Sequence, residues 1–387
     1  MADQIQQALT SLDFLNTISS PKERAGELEE KQARITALLD RLRLDAVLIR
    51  RNENIAWATA GQVEARVVIP GETGVAGLFL TRTGRGYYLT TNNEAPRLAD
   101  EEFPGLNFEP VVAPWYEDHT LDTVRNIAGT TRIGTDLALP GYVNVDLGSL
   151  RAPLLPAEIT RFRWLAQQTA EVTEQSLLEL EPGITEDQMA GQVAGRLISL
   201  GILPSVLLMA TDDRIRKYKH AVARGGMLER FGMLNLCARK WGLAVSITRF
   251  VHFGKPSQEL ADGFVACAEI NAKLLHASRN GTTSAELYAV AENAYRAAGF
   301  RGEEKLHHQG GPAGYLEREW VATPTGSQTI AAPQALAWNP SIRGAKVEDT
   351  VLIENGSADV LTQTPSLPQI NTKIEGIHYS ATDILVR

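Results

Sequence analysis

The sequence predicts an α/β protein built from two domains. Before residue 136, short β-rich segments alternate with amphipathic helical segments, as in a sheet covered by helices. Residues 140–156 are rich in proline and glycine, and long helical patterns begin after them. A length of 387 residues also exceeds one ordinary hydrophobic core. We therefore predict one domain over residues 1–152 and a second over residues 153–387.

The composition indicates a soluble globular protein, with 44% hydrophobic and 22% charged residues. A net charge of −8 without a basic stripe argues against a nucleic-acid surface. The sequence lacks an apolar run of roughly 18 residues and a basic-then-apolar start, so we expect neither a membrane span nor a signal peptide. The two cysteines, Cys237 and Cys267, form no CxxC pattern. We predict a cytoplasmic protein.

In the first domain, Ser20 followed by Pro21 predicts the start of a helix with an apolar stripe. Another helix is expected near residues 93–99, and one more at 121–128. The β-rich segments predict strands at residues 45–49, 55–59, 66–69, 76–81, 86–90, 106–112 and 132–136.

In the second domain, the first helices are predicted at residues 157–180 and 185–200, with Thr185 as N-cap of the second. Later helices are predicted at 257–275 and 284–298, with Ser284 as N-cap of the last. Strands are predicted at residues 204–210, 335–339, 350–354, 359–362 and 384–387.

A β-hairpin is predicted between these helical regions, from an apolar run at 233–238, a turn at 239–242 and a β-rich run at 243–253. The first strand is apolar on both faces, which places it inside a sheet. Asn235 and Ser246 interrupt this pattern on facing strands. Because buried polar groups need partners, these residues either close a hydrogen-bond network or line a cleft.

Histidines supply the first candidate chemistry. His220 could move a proton near neutral pH, and the cationic residues just before it would lower its pKa. The other interpretation is a surface histidine among solvated charges. His307 and His308 precede a glycine-rich stretch. If they lie on a strand they point to opposite faces, which is not the geometry of a paired metal site; one exposed and one backbone-bound histidine is the alternative.

Taken together, these segments resemble the pita-bread fold of creatinase, aminopeptidase P, prolidase and methionine aminopeptidase. The resemblance covers nearly the whole chain and is carried by the order of its pieces. They are His220, the hairpin ending in Ile247-Thr248-Arg249, the segment HHQGGPAG, and Val347-Glu348-Asp349-Thr350. It implies a creatinase-type N-terminal α/β domain followed by a pita-bread C-terminal domain.

Metallopeptidases of this family hold two divalent ions with two Asp, one His and two Glu. In this sequence the resemblance places those ligands on Asn235, Ser246, Gly311, Asn339 and Glu348, so only the last remains a ligand. A shifted register in the glycine-rich segment would offer a histidine in place of Gly311, and one Glu with one His is still too few ligands for two ions. An amide and a hydroxyl cannot replace carboxylates around two divalent ions. We therefore predict no catalytic metal pair and no cofactor.

Two classes of function remain after this loss. One is a metal-independent, creatinase-like hydrolase or lyase acting on a C–N bond, with His220 as acid/base, Glu348 orienting water or binding a cation, and Glu319 as a further catalytic candidate. The other is an inactive pita-bread domain that binds a peptide or small ligand. An Xaa-Pro metallopeptidase is a further alternative. The retained order of His220, Glu348 and the glycine-rich segment favours the enzyme.

Positive charge indicates the substrate class. The family resemblance implies that basic residues surround the cleft, which favours a small, amino-acid-like substrate bearing a carboxylate. Those residues are Arg214, Arg216, Lys219, Arg249, Arg318 and Arg343. The residues predicted to bind substrate are His307, His308, Arg318, Tyr315, Arg249, Asn235, Ser246, Asn339 and Arg66.

The resemblance also implies a homodimer in which the N-terminal domain of one subunit overhangs the site of the other. Arg66, with Glu64 beside it in sequence, is the residue expected to reach across. The alternative is a solvated charge on a strand edge.

Overall fold

The computed structural model describes residues 11–117, 120–130 and 132–387. This part of the chain forms two compact units, one ending at Arg161 and the other beginning at Phe162. The division falls inside a long helix, Pro156–Leu178. The sequence placed the division earlier, in the proline- and glycine-rich stretch between residues 152 and 153.

Buried ion pairs explain why the start of this helix belongs to the first unit. Lys31 Nζ lies 2.8 Å from a carboxylate oxygen of Glu158. Arg161 donates to Glu27, with 2.6 Å between the nitrogen and the oxygen. These charges are fully buried, so separating them would leave ions without partners.

The first unit is a mixed α/β structure. Its core contains apolar residues of the sheet and of a covering helix, among them Leu48, Phe79 and Val124. Its elements are α1 (Ser11–Ile18), α2 (Pro21–Leu42), β1 (Ala46–Arg51), α3 (Asn52–Ala58), β2 (Thr73–Thr81), β3 (Gly86–Thr91), α4 (Ala95–Arg97), β4 (Glu109–Ala113), α5 (Thr120–Ala128), β5 (Ile133–Thr135) and β6 (Val143–Asn144).

The sheet of the first unit has the strand order β4-β3-β2-β1-β5-β6. Strand β2 is antiparallel to both β1 and β3, whereas β4, β5 and β6 join by parallel pairing. The predicted helix start at Ser20 is confirmed: Ser20 caps α2 and forms a capping box with Glu23.

Two predicted strands of the first domain are wrong. Residues 55–59 lie largely in helix α3, whose residues are all buried, so the segment shows neither helical nor strand periodicity. Residues 66–69 form an irregular segment in which Val67, Val68 and Ile69 are exposed. Their β-branched side chains suggested a strand, but no sheet of the described chain includes them.

The second unit combines long helices with several sheets. Helix α6 (Pro156–Leu178) runs into it from the first unit. Its other elements are α7 (Glu186–Ser199), β7 (Leu203–Thr211), α8 (Asp213–Lys217), β8 (Phe231–Lys240), β9 (Leu243–His252), α9 (Gln258–Ala277), α10 (Ser284–Ala297), β10 (Gly310–Ala313), β11 (Gln334–Trp338), β12 (Ser341–Ile342), β13 (Ala345–Lys346), β14 (Asp349–Glu354), β15 (Ser357–Val360), β16 (Gln369–Ile374), β17 (Ile377–Thr382) and β18 (Leu385–Val386).

The larger sheets of this unit have the orders β18-β9-β8-β7 and β10-β11-β14-β15. Strands β12 and β13 pair with each other, as do β16 and β17. Helices α9 and α10 pack with these strands around a continuous apolar core that includes Phe250, Phe264 and Trp338. The unit thus buries the hairpin strands from which the candidate site is built.

The predicted hairpin is confirmed, and its first strand lies inside a sheet between β7 and β9. Its two-residue turn has positive φ at both Trp241 (53°) and Gly242 (78°), the pattern of a type I′ turn. Thr185 caps α7 as predicted. The predicted cap at Ser284 is wrong, because Thr283 accepts the capping hydrogen bond of α10. Within the described residues, no helix is both long and apolar enough to cross a membrane.

Candidate functional site

One face of the hairpin carries a stripe of polar side chains. Asn235 pairs across the strands with Thr248, and Cys237 pairs with Ser246. Alternate residues of a strand share a face, so these side chains lie together. The start of β14 packs on this face, where Thr248 forms an isolated bridge with Glu348.

Glu348 is the centre of a buried hydrogen-bond network. Its Oε2 accepts from Thr248 Oγ1 at 2.6 Å and from Asn235 Nδ2 at 3.3 Å. Lys346 Nζ lies 2.8 Å from the same oxygen, and an Arg318 nitrogen donates to Oε1 at 2.8 Å. Of the two alternatives for Asn235, the structure therefore places it in a hydrogen-bond network.

The charge state of Glu348 follows from these contacts. Burial by itself would raise the pKa of this carboxyl, but Lys346 and Arg318 overcome that effect and hold its pKa at about 2. Glu348 is therefore ionised at neutral pH and is too weak a base to accept a catalytic proton. Two cations surround one carboxylate here, which leaves one positive charge in excess.

The residues at the expected ligand positions do not fit a pair of divalent ions. Asn235 donates its amide to Glu348, and Ser246 Oγ accepts from Arg318 at 2.8 Å. A side chain at Gly311 would place Cβ 2.1 Å from the Trp320 carbonyl oxygen. The remaining carboxylate is already neutralised by ammonium and guanidinium groups, which would repel a metal ion.

A histidine cluster, defined as His220, His307 and His308, lies in the same unit. Its candidate ligand nitrogens all lie within 4.8 Å of one another. The Nε2 atoms of His220 and His307 are 2.9 Å apart, so the N–H of one ring donates a hydrogen bond to the bare nitrogen of the other. The prediction that His307 and His308 point to opposite faces is wrong: they precede β10, and their rings stack at 4.4 Å.

The cluster is uncharged at neutral pH. Burial, followed by the nearby Lys346 charge, lowers the pKa of His307 to about 3. Burial and Arg318 lower the pKa of His308 to about 4. The pKa of His220 is also lowered, as predicted, but by burial and Lys346 rather than by its neighbours in sequence. Neutral imidazoles can accept a proton or bind a metal.

The structure gives Arg249 a structural role instead of the predicted substrate contact. Its guanidinium donates to Asp349 at 2.6 Å, to Thr364, and to the backbone oxygens of Thr248, Glu348 and Thr362. Every N–H of the group is thus used, and the side chain is buried. It has no donor left for a ligand.

Glu319 and Tyr315 also serve the local fold. Glu319 accepts from the backbone N–H of Tyr315 at 2.8 Å, which fixes the carboxylate on its own loop. Tyr315 is fully buried. Neither contact places these residues with the histidine cluster, so the predicted catalytic role of Glu319 and substrate contact of Tyr315 have no support in this geometry.

Most of the basic residues expected around the cleft are neutralised by carboxylates that the sequence argument did not include. Arg214 Nε lies 2.9 Å from Glu186. Lys219 and Arg343 share Glu303, at 3.2 and 3.3 Å. Arg216 is exposed, and its side chain lies near Gly344. The unbalanced charge at the site therefore comes from Arg318 and Lys346.

The last two predicted site residues differ in their surroundings. Asn339 is buried, its N–H donates to Gln309, and its Oδ1 has no hydrogen-bond partner among the described residues. Arg66 belongs to the first unit, where it lies 3.6 Å from Glu64. Its side chain is 11% exposed, so it is not the solvated strand-edge charge of the alternative interpretation.

Sequence reasoning missed Lys346 and Thr248 as members of the site. Lys346 and Glu348 are two residues apart in an extended segment, so their side chains share a face. Thr248 follows Ser246 by two residues on β9. The same period-2 argument that found Asn235 and Ser246 would have found both.

The cysteines take no part in exposed chemistry. Both are free thiols in the second unit. Cys237 Sγ lies 3.1 Å from Ser246 Oγ, on the polar face of the hairpin. Burial raises the pKa of each thiol to about 12, so neither is a thiolate at neutral pH.

The paired sheets, the hairpin with its polar face and the preceding α/β unit together define a pita-bread protein with an N-terminal domain. The sequence profile of metallopeptidase family M24 matches residues 161–355, half of the chain. The chain belongs to the metallopeptidase family M24.

Individual relatives agree with this assignment. The Xaa-Pro dipeptidase of Pyrococcus horikoshii is 23% identical over 368 residues, covering 87% of this chain and 98% of the relative. The solved Xaa-Pro dipeptidase from Bacillus anthracis superposes with a TM-score of 0.70 at 16% identity, covering 93% of this chain and 100% of that one. Dipeptidase PepE from Mycobacterium ulcerans gives 0.73 at 16% identity, with coverages of 93% and 98%. These structures share the fold.

Proposed function

We propose that this chain is a hydrolase that cleaves a C–N bond in a small, amino-acid-like substrate with a carboxylate, and that it works without the metal pair of its family. The observation that carries the proposal is the uncharged histidine cluster within electrostatic reach of Lys346 and Arg318. A base and a carboxylate-binding charge are the two components that such a reaction needs.

The histidine cluster supplies the base. Part of the His220 ring is buried, which keeps it neutral, and part reaches solvent, so it can take a proton from a water molecule as that water attacks the carbon of the C–N bond. The His307 ring, 2.9 Å away, holds the His220 ring in place and stabilises the imidazolium that forms. The proton then passes to the leaving nitrogen as the C–N bond breaks, which regenerates neutral His220. A positioned base of this kind contributes roughly 10²- to 10⁴-fold in rate.

Arg318 and Lys346 supply the carboxylate site. Arg318 Nε is buried and has no hydrogen-bond partner among the described residues. Lys346 and Arg318 together exceed the charge of Glu348 by one, so a ligand carboxylate would neutralise the network. Glu348 then acts as the anchor of these two cations, which is the cation-binding role rather than the water-orienting one.

The experiment is turnover of a panel of N-acyl, N-carbamoyl and amidino amino acids by wild type and single variants. His220→Ala should lower kcat by about 100-fold or more with little change in KM. Arg318→Ala should mainly raise KM. His378→Ala is the matched control, because His378 is an exposed histidine on β17. Full turnover by His220→Ala would refute the proposal, and ligand binding without turnover would favour the inactive binding protein.

A second candidate is a hydrolase with one metal ion on the histidine cluster, because the candidate ligand nitrogens lie within 4.8 Å of one another. The cluster fits such an ion in ligand chemistry, since neutral imidazole suits zinc and related metals. Purification without chelator followed by metal analysis separates the candidates. About one ion per chain, with activity lost on chelation, would favour this candidate. It would also bring the Xaa-Pro dipeptidase activity named for the relatives back into consideration for this chain.

A further inference from the structure

A cavity in the first unit remains unexplained by the proposed hydrolase. It has a volume of about 420 Å³ and is lined by β2, β3, β4, the segment after β4, and α5. Small-molecule sites in proteins have volumes of this order. Its walls combine apolar strand residues such as Val75, Leu89 and Val111 with threonine hydroxyls.

Arg50, at an irregularity in the pairing of β1 with β2, brings a cation to this cavity. The pairing of β1 with β2 shifts register at this point: Ile49 pairs with Leu78 but Arg51 pairs with Thr73, so β2 carries the extra residues and Arg50 lies opposite them. The backbone N–H groups of Arg50 and Arg51 donate to the two carboxylate oxygens of Asp136, at 2.8 and 3.0 Å. These bonds satisfy the backbone N–H groups of Arg50 and Arg51 and hold the backbone from which the Arg50 side chain extends.

Glycine makes room for that side chain. A Cβ at Gly77 would lie 2.8 Å from Arg50 Cδ, so the Arg50 side chain lies against the bare backbone of β2. Arg50 lines the cavity, and its Nε is buried without a hydrogen-bond partner among the described residues. The residue is half-buried, but a buried N–H without an acceptor is costly unless a ligand supplies one.

Two aromatic side chains line the same cavity. Trp115 and Tyr116 are 69% and 68% exposed, and their rings pack edge to face at 5.6 Å. Asn92 accepts from the Trp115 backbone N–H at 3.0 Å, which holds this segment next to β3. Glu117, the acidic residue of the lining, already interacts with another group of the protein. Exposed aromatic rings beside a cation favour a planar apolar group with an attached anion.

We propose that the first unit binds a small aromatic carboxylate, with the carboxylate on Arg50 and the ring against Trp115 and Tyr116. The occupant is a regulator or a second ligand of the protein, and the assignment is independent of the hydrolase proposed for the second unit. Bidentate guanidinium–carboxylate pairing supplies its specificity.

The test uses the full chain and a matched pair of probes, 3-phenylpropionate and its uncharged amide, titrated by calorimetry and by Trp fluorescence. The acid should bind wild type about tenfold or more tightly than the amide. Arg50→Met should remove that preference, because it keeps the alkyl chain and loses the charge. Arg41→Met, at an exposed position of α2, should keep it. Trp115→Ala should weaken both probes.

Several outcomes would overturn the proposal. They are equal affinity of the acid and the amide, unchanged acid affinity in Arg50→Met, and no binding of the acid up to about 10 mM. The probe pair is compared on wild-type protein, so the test does not depend on the folding of a variant.

Discussion

The buried Lys346–Glu348 pair gives a quantitative test of the site. Replacing Lys346 by Met keeps most of its length and removes its charge. At a separation of 2.8 Å the attraction between the two groups is about 6 kcal/mol for an effective dielectric constant near 20. Arg318 stays at 2.8 Å on the other carboxylate oxygen and recovers part of this loss. We therefore expect Lys346→Met to lower the free energy of unfolding by about 3–5 kcal/mol.

The assay is urea denaturation together with calorimetric melting of the second unit. At about 2–4 °C per kcal/mol, the melting temperature should fall by roughly 6–20 °C. Lys373→Met is the control, because Lys373 is exposed on β16, and it should change stability by no more than about 0.5 kcal/mol. The double variant Lys346→Met/Glu348→Gln should recover part of the loss, because it removes the buried charge that lost its partner.

The pH dependence of this loss checks its electrostatic origin. Without Lys346 the pKa of Glu348 rises from about 2, so the variant takes up a proton in acid before wild type does. The difference between the two proteins should therefore shrink as pH falls from 7 to about 4. A loss below about 1 kcal/mol at pH 7, or one independent of pH, would refute the assignment of Glu348 as an ion held by Lys346.

Three further predictions follow from single contacts. Arg249→Met should cost about 3–5 kcal/mol in urea denaturation, since it leaves Asp349 buried and unpaired; a neutral result would return Arg249 to the substrate site. Gly311→Ala should lower the free energy of unfolding by more than about 2 kcal/mol, because its Cβ would lie 2.1 Å from a backbone oxygen. The control Gly195→Ala, in open space on α7, should stabilise the protein slightly. Equal effects of the two variants would contradict the close packing at Gly311. The free energy of unfolding should fall as pH drops from 6.5 toward 3, because His307 binds a proton in the unfolded state that the folded state excludes. The variant His307→Gln should reduce this loss at pH 5 by up to about 2 kcal/mol. If the variant and wild type have the same pH profile of stability, His307 is not buried as a neutral group.

Local rules in the sequence predicted much of the fold. The hairpin was predictable because a glycine-containing turn separates two β-rich runs. The helices that begin after Ser20 and Thr185 were predictable because each has a capping residue. Helix α3 was not predictable, because a segment buried on every side shows no periodic pattern of apolar residues. Tertiary burial decided its conformation.

The members of the site were predictable where the alternation of side chains along a strand determines which residues share a face. Asn235, Ser246 and Glu348 converge because the hairpin register and the start of β14 place them on one face. Arg249 and Glu319 could not be judged from sequence, since their partners are distant backbone groups or the local path of a loop. The stacking of His307 on His308 required the bend before β10, where strand geometry does not apply.

The buried thiols also distinguish the two units in kinetic experiments. The chain has two cysteines, and both lie in the second unit, so a thiol reagent cannot report on the first. Alkylation at neutral pH requires that unit to open and expose Cys237 or Cys267, so the labelling rate measures its opening equilibrium. Lys346→Met should speed labelling and Arg50→Met should not. The labelling rate therefore measures the stability of the second unit within the intact chain.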